Sequence, residues 1–136
     1  MFEEFGAEKT VVVTTYRRDG KPVNTPMHIA VEDGDAFIRT YATALKWKRL
    51  QRNPSLVVSH ATTGKRPALL GLLMPRSARP LGPGRPARVV VLNGDESQKA
   101  STALARKYPI LQGLVIPLMH RFVYRTRTVN MRLHPD

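Results

Sequence analysis

The chain has 136 residues, 42% of them hydrophobic, and a formal charge of +12. This length supports one domain spanning residues 1–136 and a single core. With no cysteine, disulfides, thiolate metal sites and cysteine nucleophiles are excluded, and four histidines scattered off ligand spacing argue against a metal centre. No apolar run approaches the ~20 residues that cross a bilayer, and residues 1–8 carry three glutamates and no apolar stretch, so a cytoplasmic protein without membrane insertion is expected. The charge is unevenly placed: residues 36–94 contain no acid and eleven lysines and arginines. Such a field favours a polyanion, whether nucleic acid, anionic lipid or a phosphorylated cofactor.

In chain order, residues 10–16 are β-branched and aromatic and run into Arg17-Arg18-Asp19-Gly20-Lys21, where Asp-Gly signals a hairpin. The return strand is expected over about residues 23–31. Pro26 within it lacks a ladder donor, so the strand should be an edge, bulged, or opened towards a ligand. A turn at Glu32-Asp33-Gly34-Asp35 leads to a third strand over 36–40. A short basic helix is expected over 44–51, stopped by Asn53-Pro54. Strands follow over 55–60 and 88–92. The Gly-, Pro- and Arg-rich stretch 62–86 between them carries no readable period. Asp95-Glu96 favours a helix start, and Ala100, Ala103, Leu104 and Tyr108 continue it at helical spacing. After the breakers Pro109 and Pro117, an apolar segment over 110–122 precedes a last strand, 128–133. Antiparallel order with one long helical interruption argues for a mainly β barrel with short helices. The apolar stretch 110–118 would be buried against a second copy, which makes a homodimer the expectation.

The sharpest local feature is 39–50, where a strand end passes through Thr40, Tyr41, Ala42 and Thr43 into a helix start bearing Lys46, Lys48 and Arg49. Exposed N–H groups at a helix start, hydroxyls and cations together can cradle a phosphate. A solvated cationic helix face would read the same way. Trp47 is expected as a packing anchor. His28 and His60 are expected as hydrogen-bonded strand residues rather than acids or bases, with no carboxylate near to orient either.

The Arg-Arg-Asp-Gly-Lys-Pro-Val turn with its Thr-Pro pair, the Arg-Leu-Gln-Arg-Asn-Pro helix end and the closing 129–133 strand occur in an order that resembles the pyridoxamine-phosphate-oxidase-like split β-barrels, and within them the F420-dependent branch. The resemblance covers most of the chain and departs from the family pattern over 62–86. It implies an antiparallel split β-barrel of the FMN-binding type, with a cofactor in a cleft between two barrels. It places the cofactor's phosphate at Lys46, Lys48 and Arg49, its ring beside Pro26, Met27 and His28, and backbone groups of Arg39, Thr40, Tyr41 and Ala42 along it. Coenzyme F420, with a phosphodiester and an acidic tail, matches the acid-free region better than flavin mononucleotide, the alternative. The implied activity is oxidoreductase: hydride passes between reduced deazaflavin and a small conjugated substrate such as an enone or quinone. No catalytic residue is assigned, since water, Tyr41 or a histidine could supply the proton. Two other readings stand beside it. One is a non-catalytic cofactor carrier. The other is a basic nucleic-acid-binding barrel, which 7% aromatic content supplies poorly with stacking platforms.

Overall fold

The computed structural model describes residues 2–42, 44–61, 80–108 and 128–136; the apolar stretch 110–122, Thr43 and most of the unreadable segment lie outside them. Among the described residues seven strands form one sheet: β1 (Val11–Tyr16), β2 (Pro22–Met27), β3 (Ala30–Glu32), β4 (Asp35–Tyr41), β5 (Ser55–Ala61), β6 (Pro80–Val91) and β7 (Thr128–Pro135). Helix α1 spans Leu45–Arg52 and α2 spans Gly94–Lys107. The strand order is β2-β1-β5-β6-β7-β4-β3, and every pairing is antiparallel. The two edge strands, β2 and β3, are consecutive in the chain. The sheet therefore rolls up, and its edges meet at His28 and Ile29.

Alternation decides what each strand buries. Val11, Val13, Ile38, Leu56, Val58, Met131 and Leu133 point into one interior cluster, which Trp47 and Leu50 of α1 close from the side. Trp47 is the expected anchor. Phe2 and Phe5 also join this core at 2% and 1% exposure, although the acidic N-terminal sequence gave no sign of it. On the opposite face of β4, Phe37 packs with Ala30, Leu92 and the α2 residues Ala100, Ala103 and Leu104 in a second cluster. Helix α2 carries Asp95 and Glu96 in its first turn and Arg106 and Lys107 in its last, each sign complementing the helix dipole.

Two strand expectations are corrected and one holds. The return strand breaks in two, because residues 28–29 must turn the corner from one sheet edge to the other. The part that carries Pro26, β2, is an edge strand, one of the alternatives expected for it, and Pro26 pairs there in register with Val12. Since Arg17 N–H donates to Lys21 O at 2.9 Å, the bonded pairs alternate from there, and Pro22 and Pro26 fall at non-bonded positions whose missing N–H would face off the sheet edge. Strand β6 starts at Pro80, eight residues before the expected start at Arg88. Its early half is hidden from sequence by a bulge: Val58 pairs with Arg85, yet His60 pairs with Leu81. Prolines and glycines accommodate the extra residues.

The corner at His28 is held from α2. The His28 ring stacks on Tyr108 with centroids 4.1 Å apart and planes 4° from parallel. Tyr108 Oη lies 2.7 Å from Lys9 O, its best acceptor, and 3.2 Å from both Glu8 O and Ile29 O. The Lys107 ammonium donates to Ile29 O at 2.7 Å. Burial, followed by the charges of Lys107 and Lys46, pulls the His28 pKa from 6.5 down to about 4, so the imidazole is neutral near pH 7.

Two predictions follow from this packing. A Cβ on Gly84 would stand 2.3 Å from Val57 Cγ1 and 2.8 Å from Val58 O, so Gly84→Ala should lower stability by about 1–3 kcal/mol in urea unfolding, whereas Pro83→Ala beside it should cost less than about 1 kcal/mol. His28 sets an acid window: unfolded chain takes up its proton near pH 6.5 and folded chain only near pH 4. Stability therefore falls as pH is lowered through that interval, by roughly 3 kcal/mol in all. In His28→Phe, which retains an aromatic stack, the midpoint of urea unfolding should vary less between pH 6.5 and 4.

Candidate functional site

Helix α1 positions the cations. Asn53 stops it, and the Asn53 side chain accepts the Ser55 N–H at 3.1 Å while Pro54 prevents continuation. At the other end Ala44 caps the helix without a side-chain hydrogen bond, so among the described residues no side chain competes with an anion for the first-turn N–H groups. With Trp47 and Leu50 turned into the core, Lys46 and Arg49 fall on one flank, three residues apart, where Cβ atoms stand about 5–6 Å from each other. Both are half-buried, and Lys48 is exposed.

Arg49 is fixed by its Nε, which donates to Thr15 Oγ1 at 2.8 Å. This leaves its terminal nitrogens to point elsewhere. Burial and then the charges of Arg52 and Arg17 lower its pKa, so the guanidinium sits among cations. Arg52 in turn donates to Tyr16 O at 3.4 Å. Among the described residues Lys46 has no carboxylate partner. Desolvation first, and Arg49 second, bring its amine from 10.5 down to about 8. Because Lys46 also depresses the pKa of His28, the three groups share one field: a neutral imidazole at the barrel corner, then Lys46, then Arg49. Cations held without counter-charge at the expense of solvation mark a place for an anion.

The other candidates are distributed around this flank. Pro26 and Met27 are buried beside His28, Met27 in the interior cluster. Tyr41 and Ala42 are half-buried and pack against that cluster. The Thr40 hydroxyl lies inside the barrel without a hydrogen-bond partner among the described residues. Arg39 turns to the α2 side of β4: its Nε donates to Asn130 Oδ1 at 3.0 Å, and Asn130 Nδ2 reaches Ser97 O at 3.0 Å and Ser101 Oγ at 2.8 Å. Its side chain and Lys46 thus belong to different surfaces, and only the backbone of 39–42 runs towards α1.

His60 is the hydrogen-bonded strand residue expected, but the expected lack of a nearby carboxylate is corrected. Its Nδ1 lies 3.1 Å from Glu8 Oε1, and Phe5 packs on its ring at 4.8 Å, so a carboxylate does orient it. Sequence reading also missed Tyr108 and Lys107 as neighbours of His28. Their only signal was the helical spacing of Tyr108, which says that it faces the sheet and not which residue it meets.

No protein-family model matches the chain, and no curated protein matches it in sequence. Solved structures do match. Protein Atu2129 of Agrobacterium tumefaciens, of unknown function, aligns with a TM-score of 0.67 at 22% identity over 94% of this chain and 48% of its own, so the chain spans about half the length of that protein. HutZ, the heme storage protein of Vibrio cholerae, aligns with a TM-score of 0.65 at 16% identity, over 99% of this chain and 87% of its own. The F420-H2 dependent reductase FDR-A gives 0.57 at 13% identity over 93% and 95%. Identity at this level carries the fold alone: the rolled antiparallel sheet is a split β-barrel, the fold of these neighbours.

Proposed function

We propose that the chain is an oxidoreductase that binds coenzyme F420, ahead of flavin mononucleotide, with the cofactor's phosphate at Lys46 and Arg49, and that it works as a homodimer on a small conjugated substrate such as an enone or quinone. One observation carries this reading: two half-buried cations on one flank of α1, with no carboxylate partner among the described residues, beside a neutral histidine at the barrel corner. The donor set fits a phosphorylated ligand. A guanidinium fixed by Thr15 offers two nitrogens to phosphate oxygens, the Lys46 amine regains its proton against an anion, and the uncapped start of α1 adds N–H donors.

When bound, a reduced deazaflavin would supply hydride chemistry at this site. The protein's part is placement. Thr15 orients Arg49, Tyr108 fixes the plane of His28, and the backbone of 39–42 together with Pro26 and Met27 would border the ring. Arg52 and Arg17 continue the cationic flank beyond Arg49, which suits a ligand with more than one anionic group and favours the deazaflavin over flavin mononucleotide. Lys48, exposed and away from Lys46, contributes only to the long-range field. Leu45, 69% exposed at the start of α1, is an apolar side chain at the site that a second barrel would cover.

Parallel fluorescence titration with coenzyme F420 and flavin mononucleotide tests the reading. Tighter binding of F420 is expected. Loss of a charge-assisted bond in Lys46→Ala or Arg49→Gln should weaken binding by about 1.5–3 kcal/mol, roughly tenfold to a hundredfold, with Lys48→Ala within about twofold of the parent. No binding of either cofactor, or equal losses from Lys46→Ala and Lys48→Ala, would refute the assignment. Turnover with an enone or quinone then separates an enzyme from a carrier. For assembly, light scattering at micromolar concentration with cofactor present should give twice the chain mass; a stable monomer would remove the two-barrel cleft.

A further inference from the structure

We propose that Lys46 is a site of acylation by small acyl phosphates, which dock their phosphate on Arg49 and transfer their acyl group to the neighbouring amine. The geometry supplies both halves of such a site. Lys46 and Arg49 lie three residues apart on one flank of α1, about 5–6 Å between Cβ atoms. Arg49 is immobilised through Nε by Thr15 at 2.8 Å, so its terminal nitrogens are the ones left to hold a phosphate. In an acyl phosphate the carbonyl carbon is one bridging oxygen away from phosphorus, so a phosphate held at Arg49 brings that carbon to the Lys46 side.

The amine is also suited to attack. Half-buried and facing Arg49 and His28, it meets no carboxylate among the described residues that would hold its proton. Its pKa of about 8, against an ordinary 10.5, leaves about half of it neutral at pH 8, while an exposed lysine is well under one per cent neutral. Weaker intrinsic nucleophilicity at the lower pKa offsets part of that advantage. In the step itself the Lys46 nitrogen lone pair forms a bond to the carbonyl carbon and the carbon–oxygen bond to phosphate breaks. Inorganic phosphate leaves with the electron pair, its charge met by Arg49, and takes up the proton that nitrogen loses. The product is an amide, without charge. Resting on the cofactor reading above, the consequence is regulatory: acylation removes one of the two cations that hold the cofactor's phosphate.

The test treats the full chain with acetyl phosphate at pH 8 and follows each lysine by peptide mass spectrometry. Lys46 should be acetylated about tenfold faster than the exposed Lys48 and Lys21, added inorganic phosphate should slow it, and Lys46→Arg should remove the fast site. Acetic anhydride, which has no phosphate, is the control: Arg49→Gln should slow the acetyl phosphate reaction clearly more than the anhydride reaction. Thermal melting confirms that each variant is folded. Lys46 reacting no faster than Lys48 and Lys21, or an equal effect of Arg49→Gln on both reagents, overturns the proposal. For regulation, acetylated protein should bind coenzyme F420 about tenfold more weakly than unmodified protein, and unchanged affinity overturns that part. If unmodified protein binds neither cofactor, the cofactor reading fails while the acylation result stands on its own.

Discussion

Where β2 gives way to β3, the chain must leave one edge of the sheet and join the other, and the carbonyl of Ile29 drops out of the ladder. Left unbonded in a buried corner, it would cost on the order of 1–3 kcal/mol. It accepts instead from Lys107 at 2.7 Å and lies 3.2 Å from Tyr108 Oη. The same hydroxyl reaches the carbonyls of Glu8 and Lys9. One residue at the end of α2 thereby ties the N-terminal segment, the barrel corner and the helix together. Phe2 and Phe5 can fill the interior because the backbone after them is anchored there. His28 is neutral because the same contacts bury it between two cations.

The candidate site's electrostatics come from burial and from cations close to one another, and they reach the corner through the effect of Lys46 on His28. Lys46 and Arg49 are desolvated with no acid among the described residues to compensate, an arrangement that opposes stability and that surface packing alone does not require. Arg39 shows the contrast. It too is buried, at 8% exposure, but it is bonded to Asn130, whose amide is oriented by two serines of α2. Buried charge is absorbed into structure on that face of the sheet and left available on the other.

Much of this was legible in the residues. The β-branched run of β1, the Asp-Gly turn, the amphipathic spacing of α1 and α2 and the stop at Asn53-Pro54 each act within a few neighbouring residues, so local physics decides them. A mainly β barrel was expected from their order and the split barrel from the family resemblance, and the cations of α1 were identifiable as a group because charge and helical period are both written in sequence. Tertiary packing decided the rest. Strand β6 could not be read through its prolines and glycines, because only pairing with β5 and β7 makes that stretch a strand. Which cation of α1 faces inward depends on where Trp47 and Leu50 find the core. That His28 meets Tyr108, and His60 meets Glu8, joins positions 80 and 52 residues apart, and no local rule reaches that far. The sequence by itself determined the elements set by local physics and the sign of the charge. The rolled sheet decided which charges share a surface, because burial and Coulomb fields depend on distance in space and not along the chain.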